Sequence, residues 1–162
     1  MNSKLLWAPW RYKFIKGKKE KGCVLCNRFN QKDSVKNLIV FRGLNCGVIL
    51  NKFPYNVGHL MVVPLRHIGL FEKLNMSESA EFMSLTQQSV KIIKTVLKPD
   101  SMNLGMNLGK VSGAGVPGHL HMHIVPRWMG DTNFMPVIGD TKVMSVPLGD
   151  IYKRLRKEFK KI

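Results

Sequence analysis

Three of the chain's five histidines lie in one short stretch, 119-HLHMHIV-125, as His119, His121 and His123. Near neutral pH an imidazole acts as nucleophile, proton donor or metal ligand, and the partner of one ring nitrogen decides what the other does. Alternation with Leu120, Met122 and Ile124 has the two-residue period of a strand, whose successive side chains face opposite ways. The spacing therefore predicts a strand carrying three imidazoles on one face, neighbours roughly 7 Å apart by strand rise, with the apolar residues turned to the core. On a helix, residues two apart do not face each other. A row of this kind lets one imidazole attack while its neighbours orient it and manage protons. A lone histidine is more often a hydrogen-bonded core residue; a row of three is not needed for packing.

The segment just before it, 109-GKVSGAGVPG-118, is rich in glycine. Its GAGVPG fits G-x-G-x-x-G letter by letter, but that fingerprint must open a helix, and here Pro117 and the histidine strand follow. Backbone N–H groups around Ser112, Gly113 and Gly115 instead suit a nest for phosphate oxygens, the bland alternative being a flexible turn. Cys23 and Cys26 form a C-x-x-C, which is half a metal site, a redox pair or two plain thiols. The count of three cysteines argues against a disulfide framework. No βαβ pattern surrounds the pair, so thioredoxin-like chemistry is disfavoured.

These residues need elements to hold them. From Leu38 to Leu50, apolar β-formers surround Gly43 and Gly47 and predict two short strands joined by a turn. GHLMVVPL (58–65) predicts a further strand ended by Pro64. Residues 77–97 predict the long helix, with Ser77 as N-cap, an apolar stripe through Phe82, Leu85, Ser89, Ile92, Ile93, Val96 and Leu97, and Pro99 closing it. The tail from Leu148 to Ile162 predicts a basic helix. Residues 1–22 read as irregular, with WAPW (7–10) anchoring them. Successive strands with one long helix between them predict an α+β fold with a mainly antiparallel sheet. With 162 residues and no repeat or low-complexity linker, one domain spanning 1–162 is expected.

The net charge of +16, from 26 basic and 10 acidic residues, attracts polyanions and phosphorylated small molecules alike. Much of it lies in the runs 16–22 and 153–162, and charge runs usually decorate exposed surface. A nucleic-acid partner is therefore possible but not favoured. No apolar run reaches membrane-spanning length, and the N-terminus lacks the features of an export signal. A cytoplasmic protein without a membrane partner is expected. The ten methionines fit core filling better than a ligand surface.

HLHMHIV resembles the His-x-His-x-His signature of the histidine-triad (HIT) family of nucleotidyl hydrolases and transferases. The likeness extends through WAPWR (7–11), the C-x-x-C, NKFPYNVGHLMVVPLRH (51–67), GAGVPGHLHMHIVPRW (113–128) and DTNFMPV (131–137). Together these blocks are similar to the branch that holds diadenosine tetraphosphate phosphorylases and related hydrolases. The resemblance implies a HIT-like fold of about five strands, one long helix and a C-terminal helix. It implies cleavage of adenine (di)nucleotide polyphosphates, such as diadenosine tetraphosphate, through a nucleotidyl-histidine on His121. His123 then stands near the leaving oxygen, His119 is the first triad member, and His59 supports the triad's hydrogen bonding. Asn51 matches the residue that bonds ribose hydroxyls and Asn107 one near the phosphates; Ser112, Gly113 and Gly115 form the phosphate loop, and Phe41 lies against the base. Cys23, Cys26, His67 and His119 match a structural Cys₂His₂ zinc site, and a homodimer is implied.

Two departures accompany it. The interval from Asn107 to His119 is one residue longer than in many relatives, and Met122 stands where the phosphorylases often have glutamine. The second favours hydrolysis over phosphorolysis of the same substrates. Arg127 suits either a phosphate contact or a salt bridge, and Trp128 suits packing. A different class, a basic nucleic-acid- or protein-binding module with an idle triad, predicts salt-dependent polynucleotide binding without turnover.

Overall fold

Cys46–Leu50 and Leu60–Pro64 are buried at every position, a pattern that belongs to inner strands covered on both faces. The computed structural model describes residues 21–131 and 144–162. In chain order these form α1 (Val24–Phe29), β1 (Ile39–Arg42), β2 (Cys46–Leu50), β3 (Leu60–Pro64), a 3₁₀ turn (Phe71–Lys73), α2 (Met76–Leu97), β4 (Ser101–Gly105), β5 (Met122–Arg127) and α3 (Leu148–Phe159). The sheet has five strands in the order β1-β2-β3-β5-β4, every neighbouring pair antiparallel. This is the α+β architecture the sequence predicts. The WAPW anchor and residues 132–137 lie outside the described residues.

The helix α2 covers one face of the sheet with Phe82, Leu85, Ser89, Ile92 and Ile93 buried. It begins two residues earlier than Ser77 suggests. Asn75 accepts from the Glu78 N–H, and the Glu78 carboxylate accepts from the Asn75 N–H, completing a capping box. Ser77 would need an acid or amide at position 80, where Ala80 stands. Lys98, in the left-handed region at φ 48°, ends the helix ahead of Pro99. The C-terminal helix is shorter than the 148–162 expected, and it buries Ile151, Tyr152, Leu155 and Phe159.

The largest departure concerns the histidines. Strand β5 begins at Met122, so His119 and His121 precede it rather than lying within it. Pairing of β3 with β5 covers only Leu60↔Ile124 to Val62↔Met122. Beyond Met122 the partner is a loop: the Leu120 N–H donates to the Ile68 carbonyl at 2.7 Å. The loops touch closely, since a Cβ on Gly69 would sit 3.0 Å from the Gly118 backbone. That approach sets His67 beside His119.

A second close approach seats the cysteines. A Cβ on Gly47 would meet the Phe29 ring at 2.3 Å, so only glycine lets α1 lie on β2. Neither α1 nor the outer strand β4 is foreseen from the sequence.

Candidate active site and metal centre

His121 is buried, and its Nδ1 lies 2.8 Å from the His119 carbonyl. A carbonyl only accepts, so Nδ1 carries the proton and Nε2 keeps the lone pair. Burial pushes the His121 pKa below its usual value, against the opposing pull of the His119 carbonyl. The neutral ring is thereby favoured, which is the form a nucleophile needs.

The His123 ring stands 4.8 Å from that of His121, nearly edge-on at 79°. This is closer than strand rise suggests, and His121 itself lies outside the strand. The backbone N–H of Tyr55 donates to His59 Nδ1 at 3.0 Å, and the Asn51 amide lies 3.3 Å from the same nitrogen. His59 must then carry its proton on Nε2, which faces His123 Nδ1 at 2.9 Å. His123 in turn carries its own proton on Nε2. A chain of fixed tautomers thus runs from the Tyr55 backbone through His59 to His123. The Tyr55 ring packs on both, with centroids 4.8 and 5.7 Å away.

His119 belongs to a different group. Its Nε2 lies 2.8 Å from the Pro64 carbonyl and therefore donates, which turns the Nδ1 lone pair to Cys23 at 3.2 Å and Cys26 at 3.4 Å. His67 Nδ1 is 3.3 Å from Cys26, and its ring meets that of His119 at 84°. The ligand atoms of Cys23, Cys26, His67 and His119 all lie within 4.8 Å of one another. Four donors at these separations form a candidate metal centre. The row of three imidazoles thus divides into a facing pair, His121 and His123, and one ring turned to the cysteines.

A cavity of about 510 Å³ opens beside His123. It is lined by His123, Val125 and Arg127 of β5, by Asn103 and Gly105 of β4, and by Asn107. Ser112 is exposed and donates to the Gly109 carbonyl at 2.8 Å, so its hydroxyl closes its own turn. Gly113 holds φ +87°, where glycine alone is unstrained, and Gly115 is exposed in the same loop. Phe41, on β1, packs 6.0 Å from Phe159, with β2 and β3 standing between its strand and β5.

One network escapes the sequence reading. Asp131 accepts from Arg127 Nε at 2.6 Å and Nη2 at 3.0 Å, and from the Asn56 amide at 2.7 Å. Arg127 Nη1 donates to Asn103 Oδ1 at 3.0 Å. The alternation His123, Val125, Arg127 is the signal that places this arginine on the histidine face.

An antiparallel five-stranded sheet that sets paired imidazoles beside an open cavity defines a histidine-triad protein. Comparison agrees: the HIT domain family model matches residues 32–129. The chain belongs to the HIT family. It is 39% identical over 162 aligned residues to the AP-4-A phosphorylase of Mycobacterium tuberculosis, covering 95% of this chain and 83% of that one. It is 38% identical over 81 residues to the bis(5'-adenosyl)-triphosphatase of Saccharomyces cerevisiae, covering 49% of this chain and 39% of that one. Among solved structures it resembles a hypothetical histidine triad nucleotide-binding protein of Sulfolobus tokodaii, at TM-score 0.69 and 25% identity over 86% of this chain and 93% of that one. A Zn-bound histidine triad family protein of Mycobacterium smegmatis shares the fold, at TM-score 0.67 and 22% identity over 86% and 94%.

Proposed function

We propose that this HIT-family enzyme cleaves adenine dinucleoside polyphosphates, diadenosine tetraphosphate among them, through a nucleotidyl group carried on His121. The observation that carries the reading is the pair of opposite tautomers. His121 offers a lone pair at Nε2, and His123, beside it, holds a proton at Nε2. One ring is set to attack and the other to meet departing charge.

His121 Nε2 attacks the α-phosphorus; the N–P bond forms as the bond to the bridging oxygen breaks. The oxygen leaves with the distal nucleotide, and the His123 proton stabilises it. An incoming oxygen then reverses the step, releasing His121. Water loses a proton and yields AMP; orthophosphate yields ADP. Anionic oxygens around phosphorus resist attack, so donors placed before the reaction lower the barrier. Asn107 and the N–H groups at Gly113 and Gly115 suit the phosphate oxygens, with Ser112 beside them. Asn51 suits the ribose hydroxyls, whereas Phe41, packed on Phe159, lies on the sheet face opposite His123 and is not placed to meet the base. Orthophosphate as acceptor is a second reading, favoured by the relative named AP-4-A phosphorylase at 39% identity.

Zinc fits the Cys₂His₂ group. Contacts of 3.2–3.4 Å between sulfur and nitrogen suit a tetrahedron with metal bonds of about 2.0–2.3 Å. The Pro64 carbonyl is the outer partner that orients a ligating imidazole. Cys23, Cys26, His67 and His119 would hold the ion in a closed, structural centre tying α1 to the triad segment. A homodimer is supported by the open outer edge of β4, exposed at four of its five residues. A cytoplasmic setting is supported by three free cysteines. Among the described residues no helix is long and apolar enough to cross a membrane.

The test is incubation with diadenosine tetraphosphate, with and without orthophosphate, followed by product chromatography. His121→Ala is expected to lose at least about 10³-fold in kcat while keeping the circular-dichroism spectrum of the wild type. ADP formed only with orthophosphate identifies phosphorolysis; AMP with ATP, regardless of it, identifies hydrolysis. Normal turnover by the variant would falsify the mechanism.

A further inference from the structure

Among the described residues, the cavity is bordered by His123 and not by His121. It begins at His123 and follows β5 past Val125 to Arg127, over Asn103 and Gly105. His123, Val125 and Arg127 alternate along one strand and share its face. In the mechanism proposed above, on which this inference rests, His121 attacks and His123 attends the departing oxygen. In-line displacement sends the leaving group away from the attacking nitrogen, hence past His123 and into the cavity. The backbone from His123 to Arg127 spans roughly 13 Å by strand rise. A short run of bridged phosphates and an arginine side chain together cover that length.

The guanidinium is presented, not loose. Its side chain is 45% exposed, yet Nε and Nη2 donate to Asp131 and Nη1 donates to Asn103. Asp131 is itself fixed by the buried Asn56 and by the Trp128 N–H at 3.2 Å. A guanidinium has five N–H donors; these three bonds leave one on each terminal nitrogen, the forked pair that fits phosphate oxygens. Because Asp131 offsets the charge, recognition here rests on positioned donors. Ordering has been met in advance by the Asp131–Asn56 brace, so less entropy is lost when a phosphate binds.

We propose that Arg127, held by Asp131 and Asn103, binds the distal phosphate of the leaving nucleotide and selects substrates whose leaving group carries a phosphate chain. The rival role is purely structural, with the ion pair only closing the turn at Asp131.

Kinetics on Arg127→Gln and Arg127→Lys separate the two. The substrates are diadenosine tetraphosphate, whose leaving group fills the cavity, and adenosine 5′-phosphoramidate, whose leaving group is ammonia. Both would place the same nucleotidyl group on His121. Inhibition by AMP, which occupies the nucleotide site without the cavity, is a control independent of turnover. With Gln, kcat/KM for diadenosine tetraphosphate is expected to fall about ten- to hundredfold, as for loss of a charged hydrogen bond. Phosphoramidate turnover and the AMP inhibition constant stay within about twofold. Lys, which keeps the charge without the fork, is expected to lose about threefold or more, and it carries the test if Gln does not fold. Equal losses on both substrates together with weakened AMP inhibition, or no loss on either, overturn the proposal. Failure of the parent mechanism has its own signature: wild type that cleaves neither substrate, or an active His121→Ala.

Discussion

The His119 carbonyl accepts the His121 Nδ1–H at 2.8 Å, while the His119 ring faces Cys23 at 3.2 Å. One residue therefore links the four-ligand group to the ring proposed as nucleophile. Anything that moves His119 changes the hydrogen bond that fixes which nitrogen of His121 is available. The candidate metal centre and the proposed reaction centre are joined through this one residue.

Replacing Cys26 with Ser removes one of the four donors. The expected result is loss of bound zinc by elemental analysis and a drop of about 5–10 °C in Tm, as for a structural centre. Because His119 is then less constrained, kcat is expected to fall more than KM rises. Unchanged metal content and Tm in the Ser variant would argue against a resident ion.

The His59 relay gives a separate prediction. His59 is fully buried and has its Nε2 2.9 Å from His123, with no place in the nucleophilic step itself. His59→Ala is expected to lower kcat about 10²-fold, the scale of misplaced general-acid help, with KM for diadenosine tetraphosphate changed less than about threefold. A variant as active as the wild type would remove His59 from the proton chain.

Much of this site is readable from side-chain type. Imidazoles at alternate positions and a C-x-x-C stand out in the sequence, and the fold brings His121 beside His123 and Cys23 and Cys26 beside His67 and His119. What stays hidden depends on contacts distant in sequence. Strand β4 is exposed at four of five positions and exists because β5 pairs with it; its own pattern carries no strand period. Helix α1 has six residues, too few to be stable alone, and it forms because Gly47 leaves room for Phe29. Strand β5 starts at Met122, later than the alternation predicts, because alternation marks a face but not where a partner strand ends. Asn56 and Asp131 meet across 75 residues, so no local signal announces the brace under Arg127.

The three thiols differ in environment, and that is measurable. Cys46 is fully buried, and burial, reinforced by the nearby carboxylates of Glu81 and Glu78, pushes its pKa up to about 12. The thiolate is the reactive form, so Cys46 is expected to resist thiol reagents until the protein unfolds. Cys23 and Cys26 are only partly buried, and both are expected to react once a chelator is present. Titration with a chromogenic disulfide should give two thiols per native chain with chelator and three in denaturant. Three in the native state would show that the β2 core opens readily.

Acid sensitivity follows from Glu78. Its carboxylate, about 5% exposed, bonds Arg66 at 2.7 and 2.8 Å and accepts from the Asn75 N–H. Arg66 first, and then the Asn75 amide, hold its pKa near 2, below the ordinary 4.5. A carboxylate with a depressed native pKa stabilises the fold above its unfolded value and loses that contribution as pH falls toward the native one. The window therefore runs from about pH 4.5 down to about pH 2. Arg66→Gln removes the main cause, raising the Glu78 pKa and shrinking the difference from the unfolded chain. Melting curves are expected to show a lower Tm at pH 7, by about 2–5 °C for the weakened ion pair and cap, and a smaller further loss between pH 4.5 and 2 than in the wild type. Parallel pH–Tm curves for the two proteins would mean that Arg66 does not set the charge of Glu78, and that the capping box alone does.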